Sequence, residues 1–386
     1  MSEFHYIGYA QEIIFGPGAL ARLSEAVDRF GWRRLALCTT GSARRGGRVA
    51  QIEAALGERL MATYDRVQPH VPDFQVAEAL ALAAEKEIDA VIGLGGGSPI
   101  GMAKAVSAAL EEKRAGRPAR AAFPTDQPLV PVVAIPTTYA GSEMTAVYGV
   151  THPEGGTARK VTVADPKIAP KLVIYDPQLT LDLPPEMTAS TGINALAHCI
   201  EALYSITRHP FSTAAAISGV RYIVNALPRC YADGNDLDSR TEMLMGAHLA
   251  GASLASVAMG LHHGLCHVLG GMAGVPHGVA NSIILPHAMR FNADATAPQL
   301  APAVEAMGIA PNGRSAEAAV EAAAQKVYDL VGQMNLPQHL RDASVALREA
   351  DLPRLAQFAF QSRTVQNNPK PITDPAQIEA LLRAAW

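Results

Sequence analysis

Asn194 and His198 lie four residues apart in GINALAHCIEALY, and His263 and His267 lie four apart in HHGLCHVLGG. On a helix that spacing puts both members of each pair on one face. His277 follows, between Pro276 and Gly278. From Met243 to Met289 there is no Asp, Glu, Lys or Arg, yet the stretch holds His248, His262, His263, His267, His277 and His287, six of the twelve histidines. A lone histidine on an apolar face is usually a satisfied core residue. Four histidines at these spacings point instead to a common site, where imidazoles hold a metal, donate hydrogen bonds or move protons. A membrane span is the rival reading of so long an uncharged stretch. The histidines, glycines and prolines within it favour buried helices around a polar site, and no membrane partner is expected.

A second group of residues suits an anion. Gly93-Leu94-Gly95-Gly96-Gly97-Ser98-Pro99 follows the apolar run AVIGL and opens a helix. Glycines let a diphosphate approach the backbone, and free N–H groups at a helix start attract it. The loop is neither a Walker A sequence nor a clean G-x-G-x-x-G fingerprint, and the competing reading is a plain tight turn. Gly95, Gly96, Gly97 and Ser98 are the candidate cofactor contacts. Thr137, Thr138, Tyr139 and Ser142 follow a further apolar run, PVVAI, at a position suited to a nucleotide or substrate. After the first strand the chain reads Cys38-Thr39-Thr40-Gly41-Ser42-Ala43-Arg44-Arg45. No carboxylate stands there to hold a ribose 2′-hydroxyl and repel a 2′-phosphate, so NADPH is expected to serve as well as NADH. Thr40 and Ser42 are candidate contacts, with Ser42, Arg44 or Arg45 able to accept the phosphate. Arg159 and Lys160 suit a substrate carboxylate or cofactor phosphate, or else form a solvated charge pair on a hairpin.

The elements that must position these residues divide the chain in two. Short apolar runs at 34–39, 62–66, 90–94, 131–138 and 172–175 alternate with helical patterns at 49–60, 74–86 and from about Ser98, and 147–152 with 158–165 reads as a hairpin. That alternation predicts an α/β domain with a largely parallel sheet covered by helices. After Leu183-Pro184-Pro185 the sequence turns Ala- and Leu-rich with helical spacing, which places a Rossmann-like dinucleotide-binding domain at 1–183 and an all-helical catalytic domain at 184–386. At 386 residues the chain is too long for one simple core. A formal net charge of −4 leaves no basic footprint for nucleic acid. Cys38, Cys199, Cys230 and Cys266 form no CxxC pair and read as reduced thiols. The N-terminus carries no evident signal peptide, and a cytoplasmic protein is expected.

Taken together, IFGPGAL (14–20), GLGGGSP (93–99), AIPTT (134–138), DPQLTLDLPPEMTASTGINALAHCIEAL (176–203) and HHGLCHVLGGMAGVPHGVANSIILPHAM (262–289) resemble the iron-containing alcohol dehydrogenase family over nearly the whole length. The resemblance implies an N-terminal dinucleotide-binding domain, an all-helical domain, a site in the cleft between them, and a homodimer. The family's metal ligands, an Asp and three histidines, match Asn194, His198, His263 and His277. His267 matches a further histidine near the nicotinamide. Asn194 in place of Asp, Gly101 where metal-dependent members carry Asp, and the loop TTYAGSEMT resemble the maleylacetate reductase branch, which works without metal. PHGVANSIILPH (276–287) instead resembles the metal-dependent branch.

The implied reaction is hydride transfer from NADH or NADPH to the double bond of a maleylacetate-type dicarboxylate, with no metal. Donors among His198, His263 and His267, with Tyr139, would stabilise the enolate, a protonated histidine then delivering the proton. The alternatives are a metal-dependent alcohol dehydrogenase acting on a small alcohol or aldehyde, and a non-redox lyase of the dehydroquinate synthase kind.

Overall fold

The computed structural model describes residues 4, 6–116, 120–123, 125–154, 157–310, 313–343 and 347–386, and the side chains of 153–160 lie outside the described set. The chain divides between Asp182 and Leu183 into two compact units.

The first unit is built on a six-stranded parallel sheet in the order β1-β8-β5-β4-β2-β3. Its strands are β1 (Glu12–Phe15), β2 (Leu35–Cys38), β3 (Leu60–Tyr64), β4 (Ala90–Gly95), β5 (Val132–Pro136) and β8 (Leu172–Tyr175). The central strands are buried along their whole length, which is why they read as continuous apolar runs rather than as alternating patterns. Helices α1 (Leu23–Phe30), α2 (Gly41–Arg45) and α3 (Arg48–Leu56) follow β1 and β2, and α4 (Asp73–Ala84) and α5 (Gly97–Ala115) follow β3 and β4. Leu23, Val27 and Ile52 pack with Leu37, Ile92 and Ile174 in one core. Ala79, Met102 and Val106 pack with Ala36, Val91 and Val132 in another. The sheet is therefore covered on both faces. β6 (Val147–Glu154) and β7 (Thr157–Ala164) form the expected antiparallel hairpin.

Chain order reverses at β2, which has β3 on one side and β4 on the other. In open α/β sheets the crevice beyond the carboxyl ends of strands at such a reversal is where ligands bind. The loops after β2 and β4 are the ones that carry Thr40, Ser42 and the glycine run.

The second unit is helical: α6 (Pro185–Tyr204), α7 (Pro210–Ala232), α8 (Leu237–Ser256), α9 (Leu261–Ala273), α10 (His277–Ala306), α11 (Ala316–Gln333), α12 (Leu352–Phe360), α13 (Arg363–Gln366) and α14 (Pro375–Ala384). Phe4 and Tyr6, the described residues ahead of Ile7, group with this unit, although the sequence places them in the first domain. Phe4 stacks on His209 with ring centroids 5.6 Å apart, and Tyr6 lies 4.9 Å from the same ring, so aromatic contact overrides position in the sequence. Among the described residues no single helix is long and apolar enough to cross a membrane; α8 and α9 qualify only as a pair, bent by 95°.

Close helix contact sets where the histidines of α9 stand. At Gly264, between His263 and Leu265, an added Cβ would lie 2.4 Å from Val365 Cγ2 and 3.1 Å from the Val365 backbone nitrogen. A backbone neighbour cannot rotate away. Gly264→Ala is therefore expected to lower stability by about 1–3 kcal/mol, the usual range for overpacking. Urea unfolding followed by circular dichroism checks this, and an unchanged midpoint would mean that α9 and α13 separate without cost.

Candidate active site

In the α/β unit the glycines have distinct physical roles. At Gly93 a Cβ would come within 2.8 Å of the Ile100 Cα, so glycine there allows β4 to lie against α5. Gly95 takes φ 138°, in the region that favours glycine, and carries the chain into the helix. At Gly96 a Cβ would stand 3.1–3.2 Å from the Thr138 methyl and hydroxyl, whereas at Gly97 the nearest atoms, Ala140 and Ser142 Cβ, are 4.0 Å away. The loops after β4 and β5 thus lie side by side. The Thr137 N–H donates to the Gly95 carbonyl at 3.1 Å, and the Thr39 hydroxyl donates to the Leu94 carbonyl at 2.8 Å. Gly96, Gly97 and Ser98 are partly exposed at the start of the 19-residue α5, an arrangement that suits an anion. Thr137 and Thr138 are buried, Ser142 is half-buried, and Tyr139 is fully buried. Lys160 pairs in register with Thr151 across the hairpin; its side chain and that of Arg159 lie outside the described residues.

The loop after β2 changes one expectation. Thr40 caps α2, its hydroxyl accepting from the Ala43 N–H at 3.3 Å and lying 2.8 Å from that of Ser42. No carboxylate stands near in sequence, but Asp65, just past β3, hydrogen-bonds the Arg44 side chain, which also lies 3.5 Å from Glu53. A carboxylate thus reaches this loop from the end of the neighbouring strand, where it pairs with Arg44, one of the three side chains expected to accept a 2′-phosphate.

In the helical unit the histidines come together. The His198 and His263 rings stack 4.7 Å apart, His267 and His277 stack at 5.9 Å, and His263 lies 6.3 Å from His277 and 6.5 Å from His267. Asn194, His198, His262 and His263 are buried, His277 is half-buried and His267 is exposed. Burial, reinforced by the neighbouring imidazoles, holds His198 and His263 well below the usual histidine range, so both rest neutral. This narrows the expected role of a protonated histidine, because the exposed ring is His267.

Glu201, three residues after His198, is the part of the cluster that spacing alone did not single out. It is fully buried. One oxygen accepts from the Gly260 and His262 N–H groups at 3.2 and 3.1 Å, and the other from the His263 N–H at 3.2 Å and from His263 Nδ1 at 2.5 Å. Burial alone pushes its pKa up. Three backbone donors that can only donate, at the start of α9, favour the ionised form. The His263 ring proton then sits on Nδ1. His262 Nε2 lies 3.3 Å from the Asn281 carbonyl, which can only accept, leaving His262 Nδ1 as the acceptor 3.2 Å from His263 Nδ1. Among the described residues Asn194 Oδ1, His198 Nδ1 and His263 Nε2 are buried without a hydrogen-bond partner, which leaves them available to something bound there.

Whether that something is a metal turns on the donor set. Asn194 supplies an amide where a hard, octahedral divalent ion wants a carboxylate, and an imidazole ligand brings no negative charge to replace it. Glu201, His262 and His263 also lie close enough to form a metal-sized group. Both Glu201 oxygens are already occupied, however, by four N–H donors, the number a carboxylate can take. Neither set fits an iron-type ion.

A nucleotide-type platform on a doubly wound sheet, with an all-helical unit carrying a buried histidine cluster, defines a two-unit dehydrogenase architecture. The chain belongs to the iron-containing alcohol dehydrogenase family, whose family models match residues 10–177 and, for the C-terminal part, 188–386. It is accordingly an oxidoreductase. The maleylacetate reductase of Pseudomonas knackmussii is 38% identical over 375 residues, covering 97% of this chain and 95% of that one. The solved structure of maleylacetate reductase from a Rhizobium species is 31% identical with a TM-score of 0.84, covering 100% of this chain and 99% of that one. That of a 1,3-propanediol oxidoreductase is 30% identical with a TM-score of 0.90, covering the whole of both chains.

Three outcomes are expected for the α/β unit. Gly97→Ala, which meets no close neighbour, is expected to raise the dissociation constant for NADH about tenfold, roughly 1.4 kcal/mol, at unchanged melting temperature. Fluorescence titration reads this, and unaltered binding would remove the loop from the site. Wild-type kcat/KM for NADH and NADPH should agree within about a hundredfold, roughly 2.7 kcal/mol. Asp65→Asn should move the ratio toward NADPH by about tenfold by freeing Arg44; a ratio that stays put would show that Asp65 does not face the ribose.

Proposed function

We propose that this protein is a NAD(P)H-dependent reductase of maleylacetate-type unsaturated oxo-dicarboxylates, working without a metal ion. The observation that carries the reading is Asn194 at the position of the family's metal-binding Asp, one turn before His198 on α6: Asn194 Oδ1, His198 Nδ1 and His263 Nε2 are buried without a hydrogen-bond partner among the described residues, and the one carboxylate nearby, Glu201, is taken up by N–H donors. The maleylacetate reductases among the relatives support the substrate class.

In this reading the unit with the glycine loop binds the reduced nicotinamide cofactor and the helical unit binds the dicarboxylate. Hydride adds to the carbon β to the ketone, and the C=C electron pair moves toward the ketone oxygen as an enolate. A proton then reaches the α carbon, giving the saturated 3-oxo acid and oxidised cofactor. Preorganised donors stabilise the developing oxyanion. His198 presents its unpartnered Nδ1 for this. His263, its proton directed to Glu201, keeps Nε2 as an acceptor that orients substrate. His267, exposed and 5.9 Å from His277, is the ring that exchanges its proton with solvent and returns it to the product.

A metal-dependent alcohol dehydrogenase is the second reading. It is favoured by the His263–Glu201 pair, since metal-bound histidines commonly donate their other N–H to a carboxylate.

One set of assays separates them. Purified protein is expected to oxidise NADH with maleylacetate, to hold well under one metal ion per chain, and to keep its activity after prolonged EDTA. His198→Ala or His263→Ala should lower kcat by about 10²-fold or more, the scale of a lost acid–base or oxyanion group. Stoichiometric iron or zinc, with activity lost to chelator and restored by that metal, would establish the alcohol dehydrogenase reading instead.

A further inference from the structure

Lys104 is a buried cation for which the reaction has no use. It lies on α5, seven residues after Gly97, and is fully buried. Its Nζ stands 2.6 Å from the Ser142 carbonyl, 2.7 Å from the Thr145 carbonyl, 3.1 Å from the Thr145 hydroxyl and 3.0 Å from the Val147 carbonyl. Burial pulls its pKa down to about 7, with Glu143 acting the other way. The contacts decide the protonation state. Three of the four are carbonyls, which can only accept, and a neutral amine would face them with an unmatched lone pair. The ammonium form uses every proton.

The segment it holds is irregular. Gly141 is left-handed with φ 78°, and Ser142–Met144 makes one short turn before the chain enters β6. Without Lys104 the carbonyls of Ser142, Thr145 and Val147 would lose a shared donor. Glu143 is pinned separately, accepting from the Tyr175 hydroxyl at 3.0 Å. The same segment places Ser142 Cβ 4.0 Å from where a Cβ on Gly97 would lie. Thus α5 carries the anion-binding amides at its first turn and, two turns on, the cation that fixes the facing loop.

We propose that Lys104 is a positioning residue for the cofactor: by clamping the Ser142–Val147 segment it holds the hydroxyl loop against the glycine loop, so that the two walls are formed before NAD(P)H arrives. Pre-ordering lowers the entropy cost of binding, so the clamp acts on cofactor affinity rather than on the chemical step. The inference rests on the reading that the glycine loop binds the cofactor.

The test compares wild type, Lys104→Met, which keeps the stem and removes the donors, and Thr145→Val, which removes one acceptor together with that hydroxyl's own bonds to the Ser142 and Val147 carbonyls. NADH binding is titrated by fluorescence, steady-state constants are measured with maleylacetate, and folding is followed by circular dichroism and melting temperature. Lys104→Met should raise the NADH dissociation constant and KM at least tenfold, while kcat at saturating cofactor stays within threefold. Thr145→Val should move them two- to fourfold in the same direction. Wild-type NADH affinity in a folded Lys104→Met protein, or a fall in kcat with KM for NADH unchanged, would overturn the clamp. Should Lys104→Met fail to fold, Thr145→Val decides, wild-type affinity there counting against the proposal. Failure of wild type itself to bind NADH would refute the cofactor reading, a result distinct from failure of the clamp.

Discussion

The helical site depends on one carboxylate. Glu201 reaches from α6 to the first turn of α9 and accepts four N–H groups there. A buried carboxylate is tolerable only when its lone pairs are met. Here three of the donors are backbone amides that no helix residue would otherwise satisfy. The same contact anchors the start of α9, fixes where His262 and His263 stand and sets which nitrogen of His263 carries the proton. His198, one turn before Glu201 on α6, is placed by the same helix. Loss of Glu201 would leave orphaned amides and an undirected imidazole in a region with no other charge from Met243 to Met289.

The two units solve opposite electrostatic problems. The α/β unit offers partial positive charge, helix-start amides and hydroxyls around Gly95–Ser98, suited to an anion. The helical unit offers rings held neutral by burial, with buried polar atoms that lack partners. Leaving such atoms unsatisfied costs about 1–3 kcal/mol each. A substrate that supplies those hydrogen bonds recovers that cost on binding, which gives a physical reason for an otherwise apolar helical core to keep Asn194 and the histidines.

Much of this was legible in the residues. The central strands stood out because each is buried on both faces and so reads as an apolar run, and the glycine loop because three successive glycines stand between an apolar run and a helix start. The histidine pairs were legible from four-residue spacing. β1 was not, being four residues long and recognisable only by its pairing with β8. Asp65 was not, because its proximity to Arg44 arises from adjacent parallel strands rather than from sequence. Glu201 and Lys104 did carry a signal: each is the sole Asp, Glu, Lys or Arg in a long apolar helical run, 187–204 and 97–110 respectively. A lone charge in such a run must be paired inside. Its partners, helix-start amides for one and loop carbonyls for the other, come from distant elements that no periodicity reveals.

The helical site turns on Glu201 holding His263 as a neutral ring protonated on Nδ1. Nitrogen-15 and proton NMR of histidine-labelled protein at neutral pH, with His263 assigned by its loss in His263→Gln, reads this directly. The expected spectrum is that of a neutral His263 with a strongly downfield Nδ1 proton, as a hydrogen bond of 2.5 Å to a carboxylate requires, and an unprotonated Nε2. An imidazolium, or a neutral ring protonated on Nε2, would contradict it.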